Sequence, residues 1–174
     1  MLNNNLIKTI ENLEGLEVYK YYSLSKMSSL GLDSMSEIFI EVSNEQALKL
    51  LVQELNKENL NYFVLGKGSN IILPKIIKEP VIRLSFEIDR EILAEVKESY
   101  WLPANTPLNT MTGKAIKYGL KGWEVFTGIP ATFGGAIWMN AGTSHGEIGE
   151  LIKRVKILRS NGTLEEREII EGDF

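Results

Sequence analysis

Two glycine-rich stretches carry most of the chemistry this chain can offer. The longer is Thr127-Gly128-Ile129-Pro130-Ala131-Thr132-Phe133-Gly134-Gly135-Ala136-Ile137-Trp138-Met139-Asn140-Ala141-Gly142, which has no charged side chain. The shorter is Gly66-Lys67-Gly68-Ser69-Asn70. Glycine costs backbone entropy inside a strand or helix, but it lets bare N–H groups come close to a ligand. A row of such groups can hold a bulky anion, such as a pyrophosphate, without dedicated basic residues. In the longer stretch Pro130 is expected at a helix start, so that freed N–H groups of the next turn point towards a phosphate. In the shorter one Ser69 and Asn70 add side-chain donors, each hydrogen bond to a charged group being worth about 1.5–3 kcal/mol. Neither stretch has the Walker lysine spacing or the Gly-x-Gly-x-x-Gly fingerprint at the first strand-to-helix turn. Both also read as plain tight turns that hold nothing.

Other chemistries are thinly provided. The chain has no cysteine, which removes disulfides, thiolate metal sites and cysteine nucleophiles. His145 is the single histidine, so no multi-histidine metal site can form within the chain and no metal is expected. In its setting Gly142-Thr143-Ser144-His145-Gly146-Glu147 it reads as a surface loop residue. Asp33, Glu37 and Glu41 have no spacing that demands a metal. Trp101, Trp123, Phe126 and Trp138 could stack on a planar ligand, but core packing is the simpler expectation.

The elements that must position these stretches are those of a mixed α+β chain. With 174 residues, 44% of them apolar and 24% charged, it can bury a sizeable core as one domain or two small lobes. A net charge of −4 with interspersed signs argues against a nucleic-acid partner. No window is long and apolar enough for a membrane span, and Met1-Leu2-Asn3-Asn4-Asn5 does not begin a signal peptide. A cytoplasmic protein is the expectation.

Along the chain, one short helix is expected before Gly15. Ile38–Val42 reads as a buried strand. Ser43-Asn44-Glu45-Gln46 reads as a capping box with Ser43 as the cap, opening a helix with Ala47, Leu48, Leu51, Val52 and Leu55 on one face and an end near Glu58. Tyr62–Leu65 is a second strand, expected parallel to and beside the first, and Ile71–Leu73 extends to Pro74. Short strands are expected at Val81–Leu84, Ile92–Val96 and Tyr100–Leu102. Thr106-Pro107 reads as an N-cap with proline at the first helical position, and Gly119 as the C-cap. Ile152–Arg159 and Thr163–Ile169 flank Ser160-Asn161-Gly162, a hairpin signal in which both turn residues are expected at positive φ. Two lobes follow, 1–80 and 81–174.

Taken as a set, Gly66-Lys67-Gly68-Ser69-Asn70, Gly119-Leu120-Lys121-Gly122-Trp123-Glu124, Gly128–Ala136 and Met139-Asn140-Ala141-Gly142 resemble a known family. They are similar, in order and spacing, to the FAD-binding domain of UDP-N-acetylenolpyruvoylglucosamine reductase (UDP-N-acetylmuramate dehydrogenase), from about Ser28 to Phe174. The resemblance implies a two-lobed flavin domain of the vanillyl-alcohol oxidase/PCMH type with non-covalent FAD between the lobes. It implies NADPH-dependent reduction of UDP-N-acetylglucosamine enolpyruvate to UDP-N-acetylmuramate, in peptidoglycan biosynthesis and hence in cell shape and division. By the same resemblance FAD is held by Gly66, Lys67, Gly68, Ser69 and Asn70, and by Gly128, Ile129, Pro130, Thr132, Gly134 and Gly135. Asn140, Ala141 and Gly142 line the same region. Lys67 would act through its ammonium, or else be a solvated loop residue.

The chain departs from the family pattern in several places. Asp33-Ser34 replaces a glycine pair, and Lys67, Ala131 and Asn105 stand where glycine is usual. A left-handed Lys67 would cost roughly 1–2 kcal/mol. The family's Tyr-Arg-x-Ser motif, with its catalytic-centre arginine, is expected a few residues beyond Phe174, and its proton-donating serine and late glutamate in a further C-terminal substrate-binding domain expected to be absent here. No residue is therefore assigned as catalytic. The alternative to the reductase is a non-catalytic flavin-binding module; a structural protein with idle glycine turns is a third reading.

Overall fold

The computed structural model describes residues 4–89, 91, 94–170 and 172–173. By its contacts the chain falls into two units, Met1–Phe86 with Ile157–Glu165, and Glu87–Lys156 with Glu166–Phe174. Val81–Leu84 lies with the first unit because it pairs into that unit's sheet.

The first unit begins with α1 (Asn4–Glu11), β1 (Leu16–Ser23) and a 3-10 turn at Ser25–Met27. There follow β2 (Met35–Val42), α2 (Glu45–Lys57), β3 (Phe63–Val64), β4 (Ile76–Ile77) and β5 (Val81–Leu84). The sheet order is β1-β2-β5-β3, with β4 also pairing β2. β1 runs antiparallel to β2, whereas β5 is parallel to both β2 and β3. The two strands expected side by side are thus separated by β5, which satisfies the inward edges of both.

β2 is buried on both faces at its centre, which explains the apolar run Ile38-Phe39-Ile40. Ile38, Ile40 and Val42 face one core with Leu6, Ile7 and Ile10 of α1 and Ala47, Leu51 and Leu55 of α2. Phe39 faces a second core with Leu24, Leu65, Leu73, Ile77 and Val81. There its ring stacks on Tyr22 at 4.4 Å between centroids. Alternation in one strand therefore builds two layers. Near this core the Tyr19 hydroxyl donates to Glu17, and holding that proton pushes the phenol up to about 12.

α2 starts one residue later than the capping box implied. Asn44 is the cap, its side chain accepting from the Ala47 N–H at 2.8 Å, while Ser43 donates through N–H and hydroxyl to the Gly15 carbonyl. Ser43 is occupied elsewhere, so the next polar residue caps the helix.

The second unit contains α3 (Leu108–Tyr118), a 3-10 turn at Trp123–Phe126 and α4 (Phe133–Trp138). The short pair β6 (Gly142–Thr143) and β7 (Gly146–Glu147) and a 3-10 turn at Ile148–Leu151 complete it. Its core gathers Leu108, Met111, Phe126, Phe133, Ala136 and Ile148. Pro107 rather than Thr106 is the N-cap of α3, with extended backbone angles, and Gly119 closes it in the left-handed region as expected. Tyr100–Leu102 forms no strand, and neither do residues 94–96; residues 92 and 93 of that expected strand lie outside the described residues.

β8 (Arg154–Leu158) and β9 (Leu164–Glu168) form a two-stranded ribbon. Its turn differs from the two-residue form expected, since Gly162 has positive φ and Asn161 does not. The Gly162 N–H instead closes on the Arg159 carbonyl at 2.8 Å, and the Asn161 carboxamide oxygen accepts from the Thr163 N–H and hydroxyl. A side chain that bonds its own loop stabilises the longer turn.

Candidate functional site

The two glycine-rich stretches fall in different units. Gly66–Asn70 follows β3 in the first, and Gly128–Gly142 lies in the second.

In the first stretch Gly68 is buried and has φ +67°, and Ser29 donates its N–H to the Gly68 carbonyl at 2.9 Å. A Cβ added there would stand 2.0 Å from the Met27 carbonyl oxygen. The loop can pack backbone against backbone on residues 27–29 only because that position has no side chain. Gly66, Lys67 and Asn70 are exposed, and Ser69 is half-buried. Lys67 is not among the non-glycine residues with positive φ, so the strain expected of it does not arise.

The second stretch is organised around α4, which begins at Phe133 with Thr132 as its cap. The expectation that a Pro130-led helix would turn free N–H groups towards an anion is overturned here. Phe133 donates its N–H to the Thr106 carbonyl at 2.9 Å, and Gly134 donates to the Ala104 carbonyl at 2.8 Å. Gly135 donates to the Thr132 hydroxyl at 3.3 Å, and Ala136 to the Thr132 carbonyl at 2.8 Å. Leu108 returns a bond to the Ala131 carbonyl at 2.8 Å. Residues 104–108 are thus zipped to 131–134, and the donors of this first turn serve the protein. Gly134 is required by the closeness of that zipper, since a Cβ there would meet Ala104 Cβ at 2.9 Å.

Asn140 sits at φ 42°, a strained but tolerated conformation for asparagine. Its side chain donates to the Glu147 carboxylate and accepts from the Gly149 N–H at 3.2 Å. Ala141 receives the Ile148 N–H at 2.9 Å. Gly142 approaches Gly146 so closely that a Cβ would lie 2.4 Å from its carbonyl oxygen. These three residues fasten the β6–β7 pair, with exposed His145 at its tip beside the Ser144 hydroxyl.

Gly128 differs from the others. It is exposed at φ +86°, and an added Cβ would meet nothing within 4 Å. Pro130 is exposed, and Ile129, Thr132 and Gly135 are half-buried. The backbone is therefore open at Gly128, which fits close approach of a large ligand. Beside the zipper, the buried Thr106 hydroxyl has no hydrogen-bond partner.

The aromatic set divides. Trp123 and Phe126 pack edge to face at 6.3 Å in the core, as expected. Trp138 does not: it is 87% exposed at the end of α4. Trp101 is half out of the core, under the Arg154 guanidinium at 5.3 Å from its ring centroid. Among the described residues no group of three or more acidic or histidine side chains is placed to hold a metal.

Comparison with known proteins identifies the class. The family model of the FAD binding domain matches residues 36–167, and the chain belongs to that family. Its FAD cofactor and α+β, PCMH-type fold follow from that membership and from the neighbours below. Over 161 residues, 91% of the chain, it is 32% identical to UDP-N-acetylenolpyruvoylglucosamine reductase of Streptococcus pneumoniae, covering 52% of that protein. The solved structure of the corresponding reductase from Thermus caldophilus aligns with a TM-score of 0.68 at 30% identity, over 88% of this chain and 52% of that one. An alkyldihydroxyacetonephosphate synthase, at 13% identity, shares the fold with a TM-score of 0.62, over 99% of this chain and 37% of that one. The chain is thus a homologue of the reductases, and it spans about half the length of the curated relatives it matches. No helix among the described residues is long and apolar enough to cross a membrane.

Proposed function

We propose that this chain is the FAD-holding part of a UDP-N-acetylenolpyruvoylglucosamine reductase, acting with NADPH on UDP-N-acetylglucosamine enolpyruvate in cytoplasmic peptidoglycan synthesis. The observation that supports it most is the 30% identity to the reductase of Thermus caldophilus across 88% of the chain. Bound FAD supplies a two-electron carrier that can take a hydride from a reduced nicotinamide and give one to a polarised alkene.

The chain's own residues bind and orient. Gly66, Lys67, Ser69 and Asn70 offer an exposed backbone and donor side chains on a loop that Gly68 anchors to residues 27–29. Gly128 offers the open backbone of the second loop, with exposed Pro130 and half-buried Ile129 beside it shaping the approach, the Ile129 N–H being bonded to the Phe126 carbonyl. Thr132, Gly134 and Gly135 contribute shape rather than free donors, because their turn is bonded internally. Asn140, Ala141 and Gly142 hold the neighbouring hairpin in place. A positioned but chemically inert frame is what a cofactor enzyme asks of its protein. No residue of the chain is given a catalytic role, and none is given to a metal or to a nucleic acid.

The test is NADPH oxidation by the FAD-loaded chain, followed at 340 nm with and without the enolpyruvyl substrate. Oxidation stimulated by that substrate supports the reductase reading. Bound FAD without any stimulation, including after addition of the C-terminal half of a relative, would favour the non-catalytic flavin module.

A further inference from the structure

Residues 94–100 of the second unit form no helix or strand, yet they are tied down by a connected set of side chains. Lys114 of α3 is 6% exposed, and its Nζ donates to the Glu95 carbonyl at 2.6 Å. The same ammonium lies 4.8 Å from the Tyr118 ring centroid and 5.3 Å from that of Tyr100. The Tyr100 hydroxyl donates to the Glu95 carbonyl at 2.9 Å and accepts from the Lys97 N–H at 2.7 Å. The Tyr118 hydroxyl donates to the Ala94 carbonyl at 3.1 Å. Burying an ammonium is costly unless its charge and donors are met, and here a carbonyl and two aromatic faces help meet them. Bonds that share an acceptor and pass through a hydroxyl polarise one another, so the set holds or loosens together.

The segment fastened this way leads directly into residues 101–106. Its Ala104 and Thr106 carbonyls receive the N–H groups of Gly134 and Phe133. We infer that Lys114 is a positioning residue: it straps residues 94–100 to α3 and so holds the 104–106 backbone in register with the turn at 131–134. This device does not depend on the flavin reading, because every contact in it is internal to one unit.

Amide hydrogen exchange, resolved by residue in the full chain, tests it. Lys114→Met keeps the aliphatic stem and removes the charge and donors. Relative to the Thr112 amide in mid-α3, which reports opening of the unit as a whole, the Lys97 and Gly134 amides should exchange at least about tenfold faster. Lys114→Arg, which keeps charge, donors and ring stacking, should stay within about threefold of the parent at both amides. Tyr118→Phe deletes one hydroxyl and keeps both rings, and should give a smaller rise at the same two amides; it serves if the methionine variant does not fold. The inference is overturned if either amide keeps its parental rate in Lys114→Met and Tyr118→Phe, or if both rise only in step with Thr112.

Discussion

A missing side chain can serve the protein or a ligand, and Gly68 and Gly128 divide on that point. Both have positive φ, but Gly68 faces the Met27 carbonyl whereas Gly128 faces open space. Gly68→Ala therefore combines left-handed strain with a backbone collision, and should lower stability by about 2–4 kcal/mol. Gly128→Ala meets only the strain and should cost about 1–2 kcal/mol. Urea unfolding midpoints at unchanged slope measure the difference. Equal losses would contradict the packing role given to Gly68. The sequence shows two glycines in suggestive company and cannot separate these roles, because the partner of Gly68 lies some forty residues away. The same holds for Lys67. The positive φ suspected of it belongs to its neighbour, and loop letters alone do not say which residue takes the left-handed turn.

Among the elements, α4 carries a buried face and a bare end. Phe126 packs under it at 1% exposure, while Trp138, on its last turn, is 87% exposed. Phe126→Ala should cost about 3–5 kcal/mol by leaving a cavity. Trp138→Ala should stay within about 0.5 kcal/mol. Thermal unfolding of the two variants checks this, and a large loss at Trp138 would contradict the packing described. The elements themselves were legible where periodicity or capping is local. The apolar face of α2, the Gly119 close of α3 and the Asn161-Gly162 hairpin all appear where sequence placed them, within a residue or two. What sequence missed is tertiary. β1 escaped notice because it is a half-exposed edge strand broken by Tyr21 at φ 52°, so its alternation fails midway. The insertion of β5 between β2 and β3 is a choice of partner, which no strand announces by itself. The α2 cap moved by one residue because a distant acceptor, the Gly15 carbonyl, claims Ser43. The Lys114 strap went unread as well, although the lysine and tyrosine four residues apart on α3 were a visible signal.

At the scale of the molecule, two small units with separate cores carry one glycine-rich loop each. The motifs made the family legible before any geometry did, because their order and spacing survive departures such as Asp33-Ser34 and Ala131. The geometry then changes how the second loop can work: its helix N-terminus is bonded shut, so an open backbone at Gly128 and the donors of Gly66–Asn70 carry the proposed contacts. The account stands on the chain holding FAD by those two loops, and a direct titration examines it. The purified, folded chain is titrated with FAD and followed by flavin fluorescence and by the 450 nm band retained after gel filtration. The account predicts saturable binding of one FAD per chain with a Kd below about 10 μM, or roughly −7 kcal/mol. It also predicts that Asn70→Ala weakens binding about tenfold with little change in thermal midpoint, the loss of one hydrogen bond to a charged group. No retained flavin at about 100 μM FAD, from a chain whose circular dichroism shows it folded, would contradict it.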